Sequence, residues 1–185
     1  MLKRGFDLLL AALALVLLAL PMLAVALAVC LDSGRPVVFA QVRVGRHGRL
    51  FRLYKFRSMV VDAEARGPQR TASADPRITR VGRWLRRSSL DELPQLFNVL
   101  RGDMSLVGPR PDVPAQQADY RAEDWALRCR VRPGITGLAQ ALYRSRATPA
   151  QRLQADLDYA RRPSLALDLR IMGLTVLQLV RKSGN

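Results

Sequence analysis

The chain has 185 residues, 49% hydrophobic and 6% aromatic, with 30 Lys and Arg against 15 Asp and Glu, a formal net charge of +15. That length suits one modest domain with an appendage, and the charge asks for an anionic partner: lipid headgroups, nucleic acid or a phosphorylated substrate. Two cysteines without a CxxC pair and one histidine, His47, exclude a zinc or iron–sulfur centre and leave open a hard cation on carboxylates.

Lys3, Arg4 and Asp7 precede an uncharged run from Leu8 to Leu31. As a helix rising about 1.5 Å per residue, this run is long enough for a bilayer core of roughly 30 Å. Pro21 removes a backbone hydrogen bond near its middle and clashes with the preceding turn, which bends the helix. Lys3 and Arg4 lie before the run, and Arg35, Arg43, Arg46, Arg49 and Arg52 follow it closely. The positive-inside rule holds both flanks cytosolic, which a single span cannot satisfy and a re-entrant hairpin can. Because true spans also tolerate proline, span and hairpin both stand on these residues alone. A run this long before a basic, cysteine-poor chain argues against a cleaved signal peptide.

Ser33 to Pro36 predicts a turn, Val37 to Val44 a strand, Gly45 to Gly48 a second turn with His47 as a polar tip residue, and Leu50 to Phe56 a partner strand. Lys55 and Arg57 at the end of this hairpin are either a solvated edge or phosphate contacts. Met59 to Arg66 reads as one or two helical turns and Gly67 to Ser73 as an irregular loop. Arg77, Arg80, Arg83, Arg86 and Arg87 recur at a spacing of mostly three, a helical basic stripe with Ile78, Val81, Trp84 and Leu85 on the opposite side.

Asp91 and Glu92 then stand where a helix is expected to begin. Either Asp91 is the N-cap with Pro94 in the first turn, or Ser89 caps and Glu92 closes a capping box. Both registers set a carboxylate against the positive end of the helix dipole. The helix is expected to pass through Phe97 and Leu100 and stop at Gly102. Pro109 and Pro111 stiffen the backbone on either side of Arg110, a rigid presentation suited to phosphate. Gln116 to Arg130 reads as a mixed helix, Val131 to Gly137 as a stiff turn around Arg132, and Pro149 to Arg162 as a polar helix with Asp156 and Asp158. Leu165 to Val180, interrupted by Asp168, Arg170 and Gln178, suits a core or interfacial helix.

A carboxylate pair among stiffly held arginines fits phosphoryl chemistry, in which anionic oxygens are neutralised while a nucleophile is aligned with its leaving group. Asp91 has the chemistry to attack phosphorus and form an acyl phosphate, and Glu92 to hold Mg²⁺ with substrate phosphates. No Walker motif, GxGxxG or Ser/His/Asp set competes. The alternative is a membrane-anchored basic domain that binds anionic lipid or nucleic acid; it explains the charge but gives no reason for Asp91-Glu92 amid arginines.

Asp75-Pro76-Arg77-Ile78-Thr79-Arg80-Val81-Gly82, Ser89-Leu90-Asp91-Glu92-Leu93-Pro94-Gln95-Leu96, Gly102-Asp103-Met104-Ser105-Leu106-Val107-Gly108-Pro109-Arg110-Pro111 and Arg132-Pro133-Gly134-Ile135-Thr136-Gly137 together resemble the bacterial sugar transferases. These are the monotopic phosphoglycosyl transferases that begin glycoconjugate and polysaccharide assembly. The likeness covers nearly the whole chain and fits the family's minimal catalytic unit. It implies an α+β, mostly helical fold: a re-entrant membrane helix over residues 1–32, bent at Pro21, and a catalytic domain over residues 33–185. That domain would carry the small β-hairpin and amphipathic interfacial helices around a compact core, at the cytosolic face of the bacterial inner membrane.

The resemblance further implies that a UDP-sugar gives its phosphosugar to a polyprenol phosphate, undecaprenyl phosphate being the expected acceptor, with release of UMP. The implied mechanism is ping-pong, with Asp91 as nucleophile, Glu92 as its partner and Mg²⁺ at the pair. Lys55, Arg86 and Arg110 match phosphate-contacting positions, and Arg144 stands where the family has an arginine on the nucleotide side. Asp158 matches a family acid of undefined role. Anionic membrane lipids are expected partners and nucleic acid is not. Two places depart from the pattern. Leu20, not Ser, precedes Pro21, and Leu138-Ala139-Gln140-Ala141-Leu142-Tyr143-Arg144 replaces the usual Trp-Ala-Gln followed by Asn-Gly-Arg.

Overall fold

Pro21 cannot donate to the carbonyl four residues back, and its ring crowds that carbonyl. The computed structural model, which describes residues 2–63, 65–67, 75–143 and 146–183, accordingly breaks the apolar run into α1 (Leu2–Leu17) and α2 (Ala19–Ser33). They meet at Leu18 with a bend of 63°. The corner therefore falls one turn ahead of Pro21, where the proline acts, and not at the proline itself. Among the described residues no single helix is long and apolar enough to cross a membrane; α1 and α2 meet that test only together.

One side of this pair is core. Ala11, with Ala14 and Leu15 beside it, packs on Leu53, Leu96, Val99 and Met104. Val25 and Val29 pack on Phe56 and Leu85. The other side, with Leu9, Leu13, Val16, Leu20, Leu23 and Leu27, is exposed. The first turn of α1 is tied down by polar groups. Lys3 Nζ lies 2.5 Å from Asp168 Oδ2, and Arg4 donates to the carbonyls of Val99 and Leu100 at 2.7 and 3.2 Å. Buried Asp7 accepts from Ser105 Oγ at 2.8 Å and from the Leu106 amide at 3.2 Å.

β1 (Val38–Val44) and β2 (Leu50–Phe56) form the expected antiparallel hairpin, Val38 opposite Phe56 and Val44 opposite Leu50. His47 is exposed at its tip in a left-handed conformation, φ 57°. Beyond the hairpin two expectations need correction. The described residues of Met59 to Arg66 are not helical: Met59 makes an isolated antiparallel bridge with Ile78, and Asp62 is left-handed at φ 64°. The expected loop over Gly67 to Ser73 lies, Gly67 apart, outside the described residues. The arginine stripe does become α3 (Arg80–Ser88), but only from Arg80, because Thr79 Oγ1 accepts from the Gly82 amide at 2.9 Å and caps it.

Neither expected cap opens the next helix. Ser89 is left-handed, φ 60°, and ends α3; Asp91 and Glu92 occupy a 3₁₀ turn, Leu90–Glu92, one turn ahead of α4 (Gln95–Arg101). α4 stops as expected at Gly102, φ 94°. The mixed helix expected over Gln116 to Arg130 divides into a 3₁₀ segment, Pro114–Asp119, and α5 (Ala122–Arg128), separated by extended Tyr120 and Arg121. β3 (Ser105–Val107) and β4 (Gly134–Thr136) add a parallel pair that local pattern does not foretell. α6 (Leu138–Tyr143), α7 (Pro149–Arg161) and α8 (Leu165–Ser183) close the chain around Val107, Ala141, Tyr159 and Ile171. The architecture is thus mostly helical with two small two-stranded sheets.

The parallel pair exists because glycine lets two backbones touch. A Cβ on Gly134 would lie 2.1 Å from the Gly108 amide, and one on Gly108 2.2 Å from the Arg132 carbonyl. Gly134→Ala should therefore cost about 1–3 kcal/mol or more through overpacking. Gly5→Ala, in α1 with nothing within 4 Å of the added carbon, should be neutral or stabilise by roughly 0.5–1 kcal/mol. Thermal unfolding of both variants in detergent checks this, and equal melting points would contradict it.

Candidate active site

Lys55 is positioned by Asn98. This fully buried amide accepts from the Tyr54 amide at 3.1 Å and donates to the Arg52 carbonyl at 2.7 Å, fastening β2 to α4. The end of β2 thereby sits beside the turn that precedes α4. Arg86 comes from the last turn of α3 and donates through Nε to Ser58 Oγ at 2.8 Å. Arg110 comes from the Gly108 to Pro111 loop. Lys55, Arg86, Asp91, Glu92 and Arg110 line one cavity of about 820 Å³.

The two carboxylates are neighbours in sequence but not in environment. Glu92 Oε1 is 2.6 Å from Lys55 Nζ and 3.2 Å from Arg110 Nη2. Burial would raise its pKa, but these two cations outweigh it and hold Glu92 down at about 2. Asp91, 7% exposed, is 3.9 Å from Lys55 Nζ. Burial raises its pKa above 3.8, and the charges of Lys55, Arg86 and Arg110 only partly offset this. Lys55 is pushed down by burial and by Arg110, and Arg110 is pushed up chiefly by Glu92. Two carboxylates with pKa values driven apart are a recurring mark of divided chemical roles. Here Glu92 anchors the cations, and Asp91 is the more basic and less committed carboxylate.

Arg110 is held by more than its prolines. Arg128 Nη2 donates to the Arg110 carbonyl, while its Nη1 and Nε pair with Asp112 and Asp156, each at 2.9 Å. Arg43 Nη1 donates to the Pro111 carbonyl at 3.0 Å, and the Val44 amide to the Asp112 carbonyl at 2.9 Å. The loop that carries Arg110 is braced from α5, α7 and β1.

As a metal platform the pair offers hard oxygen donors and little else. Among the described residues no group of three or more His, Cys, Asp or Glu is placed to hold an ion. Mg²⁺ is commonly bound by one or two carboxylates with substrate phosphates and water supplying the rest. Asp91 and Glu92 fit that pattern, with Lys55 and Arg110 already on one Glu92 oxygen.

Five of the residues picked from sequence thus converge. Arg144 lies outside the described residues. Asp158 is exposed on α7, bonded to Gln154 and Arg161, and is not among the cavity residues. The acid that bears on the site from α7 is Asp156, buried against Arg128. Sequence reading also missed Ser58, Gln140 and the inward face of β1, where Phe39, Gln41 and Arg43 line the cavity. The period-two alternation of β1 was a signal for the last three.

Residues 1–182 match the family model for bacterial sugar transferases. The chain is 47% identical over 185 residues to the undecaprenyl-phosphate glucose phosphotransferase of Komagataeibacter xylinus, covering 94% of this chain and 35% of that protein. It is 44% identical over 179 residues to the UDP-N-acetylgalactosamine-undecaprenyl-phosphate N-acetylgalactosaminephosphotransferase of Aeromonas hydrophila, covering 94% of this chain and 42% of the relative. It is 43% identical over 195 residues to the exopolysaccharide production protein PSS of Rhizobium leguminosarum bv. phaseoli, covering 99% and 98%. The chain therefore spans well under half of the first two relatives and nearly all of the third. With a family match that runs almost end to end and takes in every residue of the Asp91–Glu92 cavity, the chain belongs to the bacterial sugar transferase family.

Proposed function

We propose that this chain is a phosphoglycosyl transferase that moves a phosphosugar from a UDP-sugar to a polyprenol phosphate, with undecaprenyl phosphate as acceptor. The observation that carries this reading is the buried Asp91 carboxylate, its pKa raised, in a cavity where Lys55, Arg86 and Arg110 supply fixed positive charge. A basic carboxylate is the better nucleophile, and preorganised cations stabilise the phosphoryl oxygens as the transition state spreads charge over them. In the first step an Asp91 oxygen bonds to the phosphorus next to the sugar and the P–O bond to UMP breaks, leaving an acyl phosphate that bears the sugar. In the second, an oxygen of the lipid phosphate bonds to the same phosphorus, the bond to Asp91 breaks, and a diphosphate-linked sugar leaves. Mg²⁺ held by Asp91 and Glu92 would supply further charge neutralisation to the phosphates.

The placement we propose is the cytosolic face of the bacterial inner membrane, with α1 and α2 as a re-entrant hairpin. Both ends of the pair attach to one body: Lys3, Arg4 and Asp7 to α8, α4 and β3, and Asp32 to the Val81 amide at 3.1 Å. A chain crossing the bilayer once cannot return both ends to the same side. α3 exposes Trp84 among Arg80, Arg83 and Arg87, a pairing suited to anionic headgroups.

Incubation with UDP-sugars and Mg²⁺ without lipid should release UMP and leave a phosphosugar adduct visible in intact-protein mass. Asp91→Asn should lose the adduct and lower UMP release by roughly 10³-fold or more, the scale of removing a nucleophile. Undiminished release in that variant would rule out Asp91 as the attacking group.

Asp91 attacks only when ionised, and burial lifts its pKa, so lipid-free UMP release should rise with pH along a limb above the ordinary aspartate value. Arg86→Met removes a charge that lowers that pKa and should move the limb higher. Stability runs on the other carboxylate. Glu92, at about 2 when folded against 4.5, contributes stability fully present above pH 4.5 and lost as pH falls toward 2. Glu92→Gln should flatten unfolding free energy across that window, read by denaturant titration at several pH values.

With Cys30 and Cys129 replaced, single cysteines at positions 2 and 35 should react with a membrane-impermeant thiol reagent from the same face of sealed vesicles. Reaction from opposite faces would show a span.

A further inference from the structure

Arg57 is the residue whose surroundings do not explain it. It is buried, 6% exposed, and forms part of the cavity wall. Its Nη2 donates to the Ser33 carbonyl at 2.6 Å, the Ser33 hydroxyl at 2.9 Å and the Gly34 carbonyl at 2.6 Å. Its Nε and Nη1 are buried and have no hydrogen-bond partner among the described residues. Neighbouring cations differ: Arg77 faces Asp75 at 2.7 Å, and Lys55 and Arg110 face Glu92. Arg57 faces no carboxylate among the described residues. A guanidinium cannot shed its proton, and a buried charge without a counter-ion costs several kcal/mol. Three neutral acceptors on one nitrogen offset part of that cost and leave the other N–H groups undonated.

Such a site calls for an anion that arrives with the substrate. Its walls say which one. Pro36, Phe39, Met59, Val60 and Val61 line the cavity with Arg57, and the carbonyls that Arg57 grips are those where α2 ends. The reacting end is close by in the chain, because Ser58 Oγ receives the hydrogen bond from Arg86 Nε. Charge for a donor diphosphate is concentrated around Asp91 in Lys55, Arg86 and Arg110. Arg57, a cation facing no carboxylate among the described residues and sharing its cavity with these apolar side chains at the exit of the apolar helix pair, matches an amphiphile with a phosphate head. We infer that Arg57 is the subsite for the phosphate group of the acceptor lipid, poised beside the phosphosugar on Asp91. This rests on the phosphoglycosyl transfer proposed above.

The test separates the two half-reactions of the full chain in detergent. Arg57→Met and Arg57→Lys are compared with wild type for the lipid-free UMP burst from a UDP-sugar, and for transfer rate against undecaprenyl phosphate concentration. Arg57→Met should keep the burst within about twofold and raise the acceptor KM by roughly tenfold or more, the scale of losing charge-assisted hydrogen bonds. Arg57→Lys, which keeps the charge but not the planar donor set, should fall between, and it carries the test alone if Arg57→Met does not fold. Farnesyl phosphate should compete with the acceptor where farnesol does not, and compete less well in Arg57→Lys. An unchanged acceptor KM overturns the inference. So does loss of the burst with an unchanged acceptor KM, which would place Arg57 on the donor phosphates. A wild-type protein that gives no burst with any UDP-sugar would instead overturn the transfer reaction itself.

Discussion

The fastening of α1 at its first turn is the constraint on which the rest of this structure depends. Asp168, almost fully buried, takes Lys3 on one oxygen and the Tyr159 hydroxyl on the other, at 2.5 and 2.8 Å. Asp7 is satisfied from the chain of β3. Arg4 covers the carbonyl end of α4, where the helix dipole favours a cation. Directional bonds of this kind fix both the depth and the rotation of α1, which apolar contact alone does not. Removing Lys3 would leave the buried Asp168 charge with the Tyr159 hydroxyl as its remaining partner among the described residues. Once α1 is set, Ala11 meets Leu53, Leu96, Val99 and Met104, the cluster beneath β2 and α4. Lys55 lies on β2 and the Asp91–Glu92 turn leads directly into α4, so the seat of the apolar helix also sets the geometry of the cavity.

Within the cavity the charges are unequally shared, and the inequality has a structural cause. Lys55 and Arg110 converge on one oxygen of Glu92. Arg86 is turned toward Ser58. Asp91 is left close enough to feel three cations but bound tightly by none of them. Had the cations saturated Asp91 with hydrogen bonds, its pKa would have fallen like that of Glu92 and its basicity with it. Glu92 acts as the counter-ion for Lys55 and Arg110 while Asp91 keeps its raised pKa. The Arg128, Asp112 and Asp156 cluster does the same job one layer back, holding the Arg110 backbone from beneath.

What the sequence disclosed, and what it hid, follows the range of the forces involved. The hairpin and the stop at Gly102 are local, and local residues predict them. Arg110 could be picked from the prolines on either side of it, and Lys55 and Arg86 because they match phosphate-contacting positions of the family the sequence resembles. The left-handed Ser89 that displaces both expected caps is decided by how α3 meets the turn beyond it. The β3–β4 pair joins three-residue strands nearly thirty residues apart, too short for any period to register. Asp156 and Asp158 look alike along a polar helix; only the partner, Arg128 on α5, distinguishes the buried acid from the solvated one. Asn98 reads as an ordinary helix residue, yet it is the fastening of β2 to α4.

The short segment from Phe56 to Met59 touches both the apolar helix pair and the carboxylate cavity. The Arg57 amide donates to Val37 at 2.9 Å, and its side chain grips the end of α2. One residue on, the Ser58 carbonyl accepts from the Thr79 amide at 3.2 Å, and its hydroxyl receives Arg86. α3 is pressed so closely onto this point that a Cβ on Gly82 would lie 2.0 Å from the Ser58 carbonyl oxygen. Any side chain at 82 would lift α3 and carry Arg86 away from Asp91. Any shift of the Ser33–Gly34 turn would pull on Arg57, and through its neighbour Ser58 on Arg86. The apolar helix pair and the carboxylate dyad are therefore mechanically joined through two consecutive residues. An apolar helix pair tethered by a flexible linker could not hold that geometry.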